Sequence, residues 1–344
     1  MNVGSLFSGG GGGDLGFINA GHNIVFGCEI DSQARSIFRY NNPGVPIFED
    51  VKGLNRDTLN AYGIIIPEVI FGGSPCQDLS VAGKREGLGG ERSGLFIEQC
   101  RIADHLGTEW LVWENVFGAL SSNKGADFAS VLGHITGHTP AIPRRRRYAR
   151  QGWQNSGICV GPKRVAVWRV LDAQNFGVPQ RRRRLFVVAG PRTLARRVIE
   201  VLFEPESGDW DTSTGGTDGD AIKPGAGTGF EKPDLINCIT TGSSNNQIVG
   251  TLSAGNNGTG PSTVTGQDAH SGHVVPSGER VRKLTPLECE RLMGWPDNYT
   301  RFGTSDIGEL VLVSDSGRYK VCGNGIVAPV TEWIANRLPK EGEL

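Results

Sequence analysis

PEVIFGGSPCQDLS, residues Pro67–Ser80, sets a short apolar run, EVIF, against a loop rich in glycine and proline that carries a single cysteine. The run has the length and composition of a buried strand. A cysteine serving the core would lie inside that run, but Cys76 follows it. Loops at the carboxyl ends of parallel strands are where open α/β folds carry their chemistry. The stretch therefore predicts an α/β fold with Cys76 as candidate nucleophile at a strand end.

The same rhythm extends in both directions. NVGSLF reads as a strand, followed by a glycine-rich turn and a helix through LGFINAGH. NIVFGCEID reads as a strand ending on acids, SQARSIFRYNN as a helix halted by Pro43, and VPIFED as a short extended segment. Beyond Cys76, GLFIEQCRIADHL has helical period, EWLVWENV reads as strand then loop, RVAVWRVLDAQNFG as helix and RRLFVVAG as strand. Strands and helices alternating at these lengths predict a doubly wound, mostly parallel sheet. From Glu206 to Gly278 the composition shifts to Gly, Ser, Thr, Asn and Asp. Such a stretch is either a disordered insert or a small β-rich domain. The strand-like LINCITTG, IVGTLSA and HVVP, punctuated by turns, favour the second. In LTPLECERLMGW, Thr285 is the expected N-cap, Pro286 the first helical residue and Glu288 the capping-box partner, with Gly294 and Pro296 ending the helix. VAPVTEWIANRL is expected to be a C-terminal amphipathic helix.

Composition narrows the class. An apolar content of 38% and a charged content of 21% are those of a globular protein. No apolar run reaches the roughly 18 residues of a membrane span. MNVGSLFSG lacks the basic and apolar regions of a secretory signal, which predicts a cytoplasmic protein. The seven cysteines are scattered and form no CxxC pair, which argues against a disulfide framework and against a zinc site. The net charge of −1 hides an asymmetry. Between Arg144 and Arg197 fourteen Arg and one Lys stand against one acid, a local +14 balanced by −15 elsewhere. Such a dipole suggests a face that meets a polyanion.

FSGGGGGDLGF, Phe7–Phe17, places Gly11, Gly13 and Gly16 in a G-x-G-x-x-G pattern after the first strand, with Glu29 closing the next. This suits a nicotinamide dehydrogenase, and equally any adenosine-containing cofactor held at a first strand-to-helix turn. Glu29 can accept from both ribose hydroxyls and Asp50 from an adenine amino group. Glu114 in WENV and the arginines of PQRRRRLF also sit at strand ends. A thiol, a carboxyl and guanidiniums on one edge suit addition to an electron-poor ring. The thiolate attacks a ring carbon, the carboxyl serves a ring nitrogen, and the arginines hold a carbonyl oxygen.

With those residues in place the chain resembles the DNA cytosine-5 methyltransferases of bacteria and phages. The matches run in the family's order through FSGGGGGDLGF, CEID, GGSPCQDLS, RSGLF, WENV, PQRRRRLF, RKLTPLECERLMGWP and GNGIVAPVTEWI. The resemblance implies the Rossmann-like fold of class I S-adenosylmethionine-dependent methyltransferases. It implies a catalytic and cofactor-binding domain over 1–192, a small β-rich target-recognition domain and hinge over 193–317, and a segment 318–344 returning to the catalytic domain. It makes Cys76 the nucleophile on carbon 6 of cytosine, puts Glu114 on nitrogen 3 and the amino group, and has Arg182 and Arg184 orient base and loop. Gln77 begins a mobile loop ending near Gly87, and Ser80 contacts a phosphate. The cofactor S-adenosyl-L-methionine, which leaves as S-adenosyl-L-homocysteine, is expected on Phe7, Gly9, Gly11, Glu29, Ile30, Asp50, Val51, Leu95, Asn324 and Ile326. The implied partner is double-stranded DNA, met by a monomer that has a cognate restriction endonuclease in some family members. No metal is implied.

Two departures stand out. Gly325 occupies a position where the family commonly has Ser. From Glu206 to Arg280 nine acids outnumber three bases, so the expected recognition region offers few phosphate contacts. Base reading would fall to Asn245, Asn246, Gln247, Asn256 and Asn257. The rival readings are a tRNA cytosine methyltransferase with the same motifs, a catalytically silent DNA-binding member, and a nicotinamide oxidoreductase resting on the glycine loop alone.

Overall fold

The computed structural model describes residues 1–75, 94–143, 152–204, 274–277 and 280–339. Cys76, Gln77, Ser80, the run Arg144–Arg147 and the Asn/Gln-rich loops all lie outside the described residues.

The frame is one eight-stranded sheet. Its strands are β1 (Asn2–Leu6), β2 (Asn23–Cys28), β3 (Ile47–Phe48), β4 (Val69–Gly72), β5 (Trp110–Val116), β6 (Ser156–Val160), β7 (Val165–Asp172) and β8 (Arg183–Gly190). Their order is β3-β2-β1-β4-β5-β8-β7-β6. The first five pair in parallel, and the last three join the β5 edge antiparallel. Central strands covered on both faces must be apolar along their whole length. Val69, Ile70 and Phe71 of β4 and Leu111, Val112 and Trp113 of β5 are all buried. Because side chains alternate between faces, Phe71 and Val112 join one core while Ile70, Leu111 and Trp113 join the other.

Helices fill both layers. On the first face lie α1 (Gly12–Asn19), α2 (Ser32–Asn41) and α6 (Ala195–Leu202), and on the second lie α3 (Arg56–Ala61), α4 (Leu95–Leu106) and α5 (Ala126–Thr136). Helices α7 (Pro286–Leu292), α8 (Asp315–Asn324) and α9 (Ala328–Ala335) return to the first face, where Leu292, Val321 and Ile334 are buried in its core. The expected cap of α7 is present: Thr285 and Glu288 form a reciprocal capping box with Pro286 at the first turn. Behind it Glu290, fully buried, accepts from the backbone N–H of Asn298 at 2.8 Å and of Thr300 at 2.9 Å, and pairs with Arg318 at 2.9 Å.

One expectation is overturned. The stretch RVAVWRVLDAQNFG, read as helical, forms strand β7 and then a short 3-10 turn over Ala173–Phe176. Periodicity cannot separate helix from strand where both faces are buried. Here the β-branched and aromatic side chains of Val165, Val167 and Trp168 sit between antiparallel neighbours, and pairing decides the outcome. Two antiparallel hairpins complete the described structure: β9 (Val274–Ser277) with β10 (Arg280–Lys283), and β11 (Phe302–Thr304) with β12 (Leu310–Leu312). HVVP thus leads into a strand, while LINCITTG and IVGTLSA lie outside the described residues. Among the described residues no helix is long and apolar enough to cross a membrane, and no His/Cys/Asp/Glu cluster has the makings of a metal site.

Candidate active site

The glycine loop follows β1 and turns sharply. Phe7, Gly9 and Gly11 all have positive φ, at 55°, 56° and 86°. The loop is stitched to the end of β2 by short polar contacts. Gly9 N–H donates to the Glu29 carboxylate at 2.9 Å, Asp31 N–H donates to the other Glu29 oxygen at 2.8 Å, and Cys28 N–H donates to Ser8 Oγ at 3.1 Å. A Cβ added at Gly9 would meet nothing within 4 Å, so this turn faces open space. Ile30, beside Glu29, is 73% exposed, an apolar side chain left on the rim of that space.

The other expected cofactor residues surround the same edge. Asp50 is exposed and caps the 3-10 turn Val51–Gly53, accepting from Lys52 N–H at 3.0 Å. Burial pushes the Cys28 thiol up to about 12, and the Glu29 and Asp50 carboxylates add to the effect, which puts both acids around one strand end. Val51 behaves differently: its side chain is buried in the second core, and its carbonyl accepts from Arg101 at 3.2 Å. Leu95 is half-buried at the start of α4 against that core. Asn324 is exposed at the end of α8. Ile326 lies 3.4 Å from the Cβ positions of both Gly13 and Gly73, linking the α8–α9 turn to the glycine loop and to the end of β4.

The chain entering Cys76 is held against β5. Trp113 Nε1 donates to Ser74 Oγ at 3.0 Å, and Asn115 Nδ2 donates to the Ser74 carbonyl at 2.9 Å. The backbone of Gly73 passes so near Glu114 that a Cβ there would sit 2.9 Å from a carboxylate oxygen. Three consecutive residues of β5 thereby define the approach of residues 73–75. Glu114 is 8% exposed, and Arg184 Nε meets its carboxylate at 3.1 Å. Desolvation raises the Glu114 carboxyl above the ordinary range, with Arg184 and then Arg182 opposing. Burial thus outweighs two nearby cations, and the net direction favours the protonated carboxyl.

Arg182 and Arg184 have separate duties. Arg182 is buried, and its guanidinium donates to the carbonyls of Gly323 at 3.0 Å and Gly325 at 2.7 Å, tying β8 to the α8–α9 turn. Desolvation holds it below the usual arginine range, Arg184 adding to that and Glu114 opposing. Gln180, two residues earlier and fully buried, donates to the Leu292 carbonyl at 2.8 Å at the end of α7. Alternate residues of one extended segment thus reach α7, the α8–α9 turn and Glu114. Arg182 and Arg184 also line a small cleft with Leu171, Phe186, Ile326 and Val330.

Sequence reasoning missed Gln180. The spacing of two from 180 to 184 was visible, but its meaning needed the pairing of β8 with β5. It also read the arginine-rich stretch too uniformly. Arg164 pairs with Asp104 at 2.7 Å, Arg169 donates to the Leu202 carbonyl at 2.7 Å, and Arg196 pairs with Glu200 at 2.9 Å. Arg181, Arg183 and Arg192 are solvent-exposed, and the Arg183 guanidinium stacks over Phe117 at 4.3 Å.

Known proteins place this geometry. The chain is 26% identical to a DNA N-6-adenine-methyltransferase of Escherichia phage P1, over 91% of this chain and 58% of that protein. It is 29% identical to the type II methyltransferase M2.BsuMI of Bacillus subtilis, over 100% of this chain and 79% of that protein. A DNA modification methyltransferase encoded within an Escherichia coli prophage superposes with a TM-score of 0.61 at 19% identity, covering 98% of each chain, and shares the fold. A family model of C-5 cytosine-specific DNA methylases matches residues 1–137 and 220–340, the two stretches that hold the glycine loop, Glu114 and the α8–α9 turn, and the chain belongs to that family.

Proposed function

We propose that the chain transfers a methyl group from S-adenosyl-L-methionine to carbon 5 of cytosine in double-stranded DNA, at a specific short sequence, in the cytoplasm. The observation that carries this reading is the anchoring of Ser74 on Trp113 and Asn115 beside the Glu114–Arg184 pair. Two peptide units separate Ser74 from Cys76, so covalent geometry keeps that residue within roughly 7 Å of the anchor.

The cradle fits the cofactor. Gly9 leaves room where a side chain would obstruct, Glu29 stands beside that room, and Ile30 offers an apolar rim. When bound, the sulfonium supplies an electrophilic methyl group. The protein's part is addition chemistry on the base. A cytosine stacked in a duplex cannot present carbon 6, so the base must swing out of the helix. The Cys76 thiolate forms a bond to carbon 6 while Glu114 donates its proton to nitrogen 3, and carbon 5 becomes nucleophilic. Arg184 fixes the Glu114 carboxyl through the Nε contact. After carbon 5 is methylated, its proton leaves to solvent, the carbon–sulfur bond breaks, and the nitrogen 3 proton returns to Glu114. Segment 193–317 would read the target, with α6 and α7 anchoring its ends on the catalytic core.

The name of the phage P1 relative refers to adenine nitrogen. The alignment leaves about two fifths of that protein unmatched, so the named activity does not transfer to this chain. Chemistry on an exocyclic amine also gives a thiol on this edge nothing to do.

DNA carrying 5-fluorocytosine tests the mechanism, because fluorine at carbon 5 blocks the final elimination. With S-adenosylmethionine, the wild type is expected to give a covalent protein–DNA adduct that survives denaturing electrophoresis, and Cys76→Ala none. Equal trapping by Cys76→Ala overturns the mechanism. Bisulfite mapping of a plasmid from expressing cells gives the target, and competition by tRNA addresses the RNA alternative.

A further inference from the structure

We infer that Trp295 is a positioning residue of the cofactor site. Its indole is a wedge that fixes the spacing between the glycine loop and the α8–α9 turn, and Gly325 is glycine because the wedge is tryptophan. The inference rests on the S-adenosylmethionine reading above.

Trp295 follows α7 and is 4% exposed. Its Nε1–H donates to the Ile326 carbonyl at 3.2 Å, which fixes the ring on the turn. The ring touches backbone on two sides. A Cβ built on Gly12, the first residue of α1, would lie 2.0 Å from indole Cζ2 and 2.3 Å from Cε2. A Cβ built on Gly325 would lie 2.5 Å from both Cζ2 and Cη2. Neither approach tolerates a side chain, and the obstacle is a rigid ring that cannot swing aside as a flexible chain end does. Tyr299 packs on the indole at 5.4 Å, and its hydroxyl lies 2.9 Å from the Cβ position of Gly11. The glycine loop therefore rests on two aromatic side chains from beyond α7, and no side chain separates the wedge from either backbone.

The segments so spaced both carry expected cofactor residues: Gly9 and Gly11 on one, Asn324 and Ile326 on the other. Their separation is set by the indole. The departure at 325 then has a physical reason. Serine there would drive Cβ into the far ring of Trp295. Phenylalanine lacks the two atoms, Cζ2 and Cη2, that clash with this Cβ, so Trp295→Phe removes the severe overlap and leaves only the Val321 carbonyl oxygen at 3.0 Å, a tight contact that a small backbone shift relieves. The two positions form a compensating pair.

The test is calorimetric titration of S-adenosyl-L-homocysteine into wild type, Gly325→Ser, Trp295→Phe and the double variant, with melting curves of the unliganded proteins. Overpacking predicts that Gly325→Ser weakens binding about tenfold or more. The double variant is expected to bind within about threefold of Trp295→Phe alone. In steady-state assays Trp295→Phe should raise KM for the methyl donor and leave kcat and KM for DNA within about twofold, a split that general loss of folded protein does not produce. Wild-type affinity in Gly325→Ser, or a double variant no better than Gly325→Ser, overturns the inference. If Gly325→Ser does not fold, the double variant decides: folded and binding supports the wedge, unfolded overturns it. Failure of the wild type to bind would instead strike the cofactor reading on which the inference depends.

Discussion

Asp14 offers the sharpest test of the packing beneath the glycine loop. It occupies the first turn of α1 and is fully buried. Both carboxylate oxygens, and the Ser5 hydroxyl beside them, lack hydrogen-bond partners in the described structure. The helix N-terminus favours an anion there, but burial dominates. Desolvation raises the carboxyl from 3.8 to about 7; the Ser5 hydroxyl and the local backbone lie near enough to oppose it, but neither meets hydrogen-bond geometry. In the unfolded chain an aspartate titrates near 4, so between about pH 4 and pH 7 the folded state binds the extra proton. Stability from this group is therefore greatest at low pH, falls as pH rises through that window, and is level above about 7. A change of about three in pKa corresponds to a destabilisation of about 4 kcal/mol at pH 8 as an upper bound.

Asp14→Asn keeps the shape and removes the charge. Its amide still leaves polar atoms buried, so the net gain at pH 8 should be about 2–4 kcal/mol, shrinking to nothing or a slight loss near pH 4. Urea unfolding of wild type and variant across pH 4.5–8.5 measures the difference directly and cancels every other titrating group. The difference should climb with pH and flatten above about 7. A difference that stays constant across the range, or declines as pH rises, would refute a buried, unpartnered carboxylate under the loop.

Two further outcomes follow from the site and its support. Glu114 is raised by desolvation, so its protonated form is favoured and activity that needs its proton is expected to fade as pH climbs past its pKa. Glu114→Gln should lower kcat by about 10²–10⁴ and abolish that alkaline limb, which a pH–rate profile in saturating DNA checks. Glu290→Ala leaves Arg318 buried without its carboxylate and two backbone N–H groups unpaired, at a cost of about 3–5 kcal/mol seen as a lowered urea midpoint.

Most of the frame was legible because it obeys local rules. The apolar runs of β4 and β5, the turn after β1 and the capping box of α7 each announce themselves within a few residues. Where legibility failed, the deciding contact lay far along the chain. Nothing within RVAVWRVLD says that it will be flanked by β6 and β8, and an apolar stretch buried on both faces suits helix and strand alike. Trp295 meets Gly12 across the fold, and GWP after a helix carries no hint of that partner.

The four arginines of 181–184 show most plainly what a charge count can and cannot say. Counted together they read as one basic surface, and a polyanion is the natural partner of such a surface. In an extended segment, however, successive side chains point to opposite faces. Arg182 and Arg184 turn inward, one to the Gly323 and Gly325 carbonyls and the other to Glu114, while Arg181 and Arg183 stay exposed. Half of the tetrad therefore holds the site together, and its charge is compensated by carbonyl dipoles and one carboxylate. The other half faces solvent, with Arg183 steadied over Phe117. One run of identical residues thus serves two ends by alternation alone. The inward pair ties Glu114 and the α8–α9 turn to β8, and the outward pair lies on the opposite, solvent-exposed side of the segment.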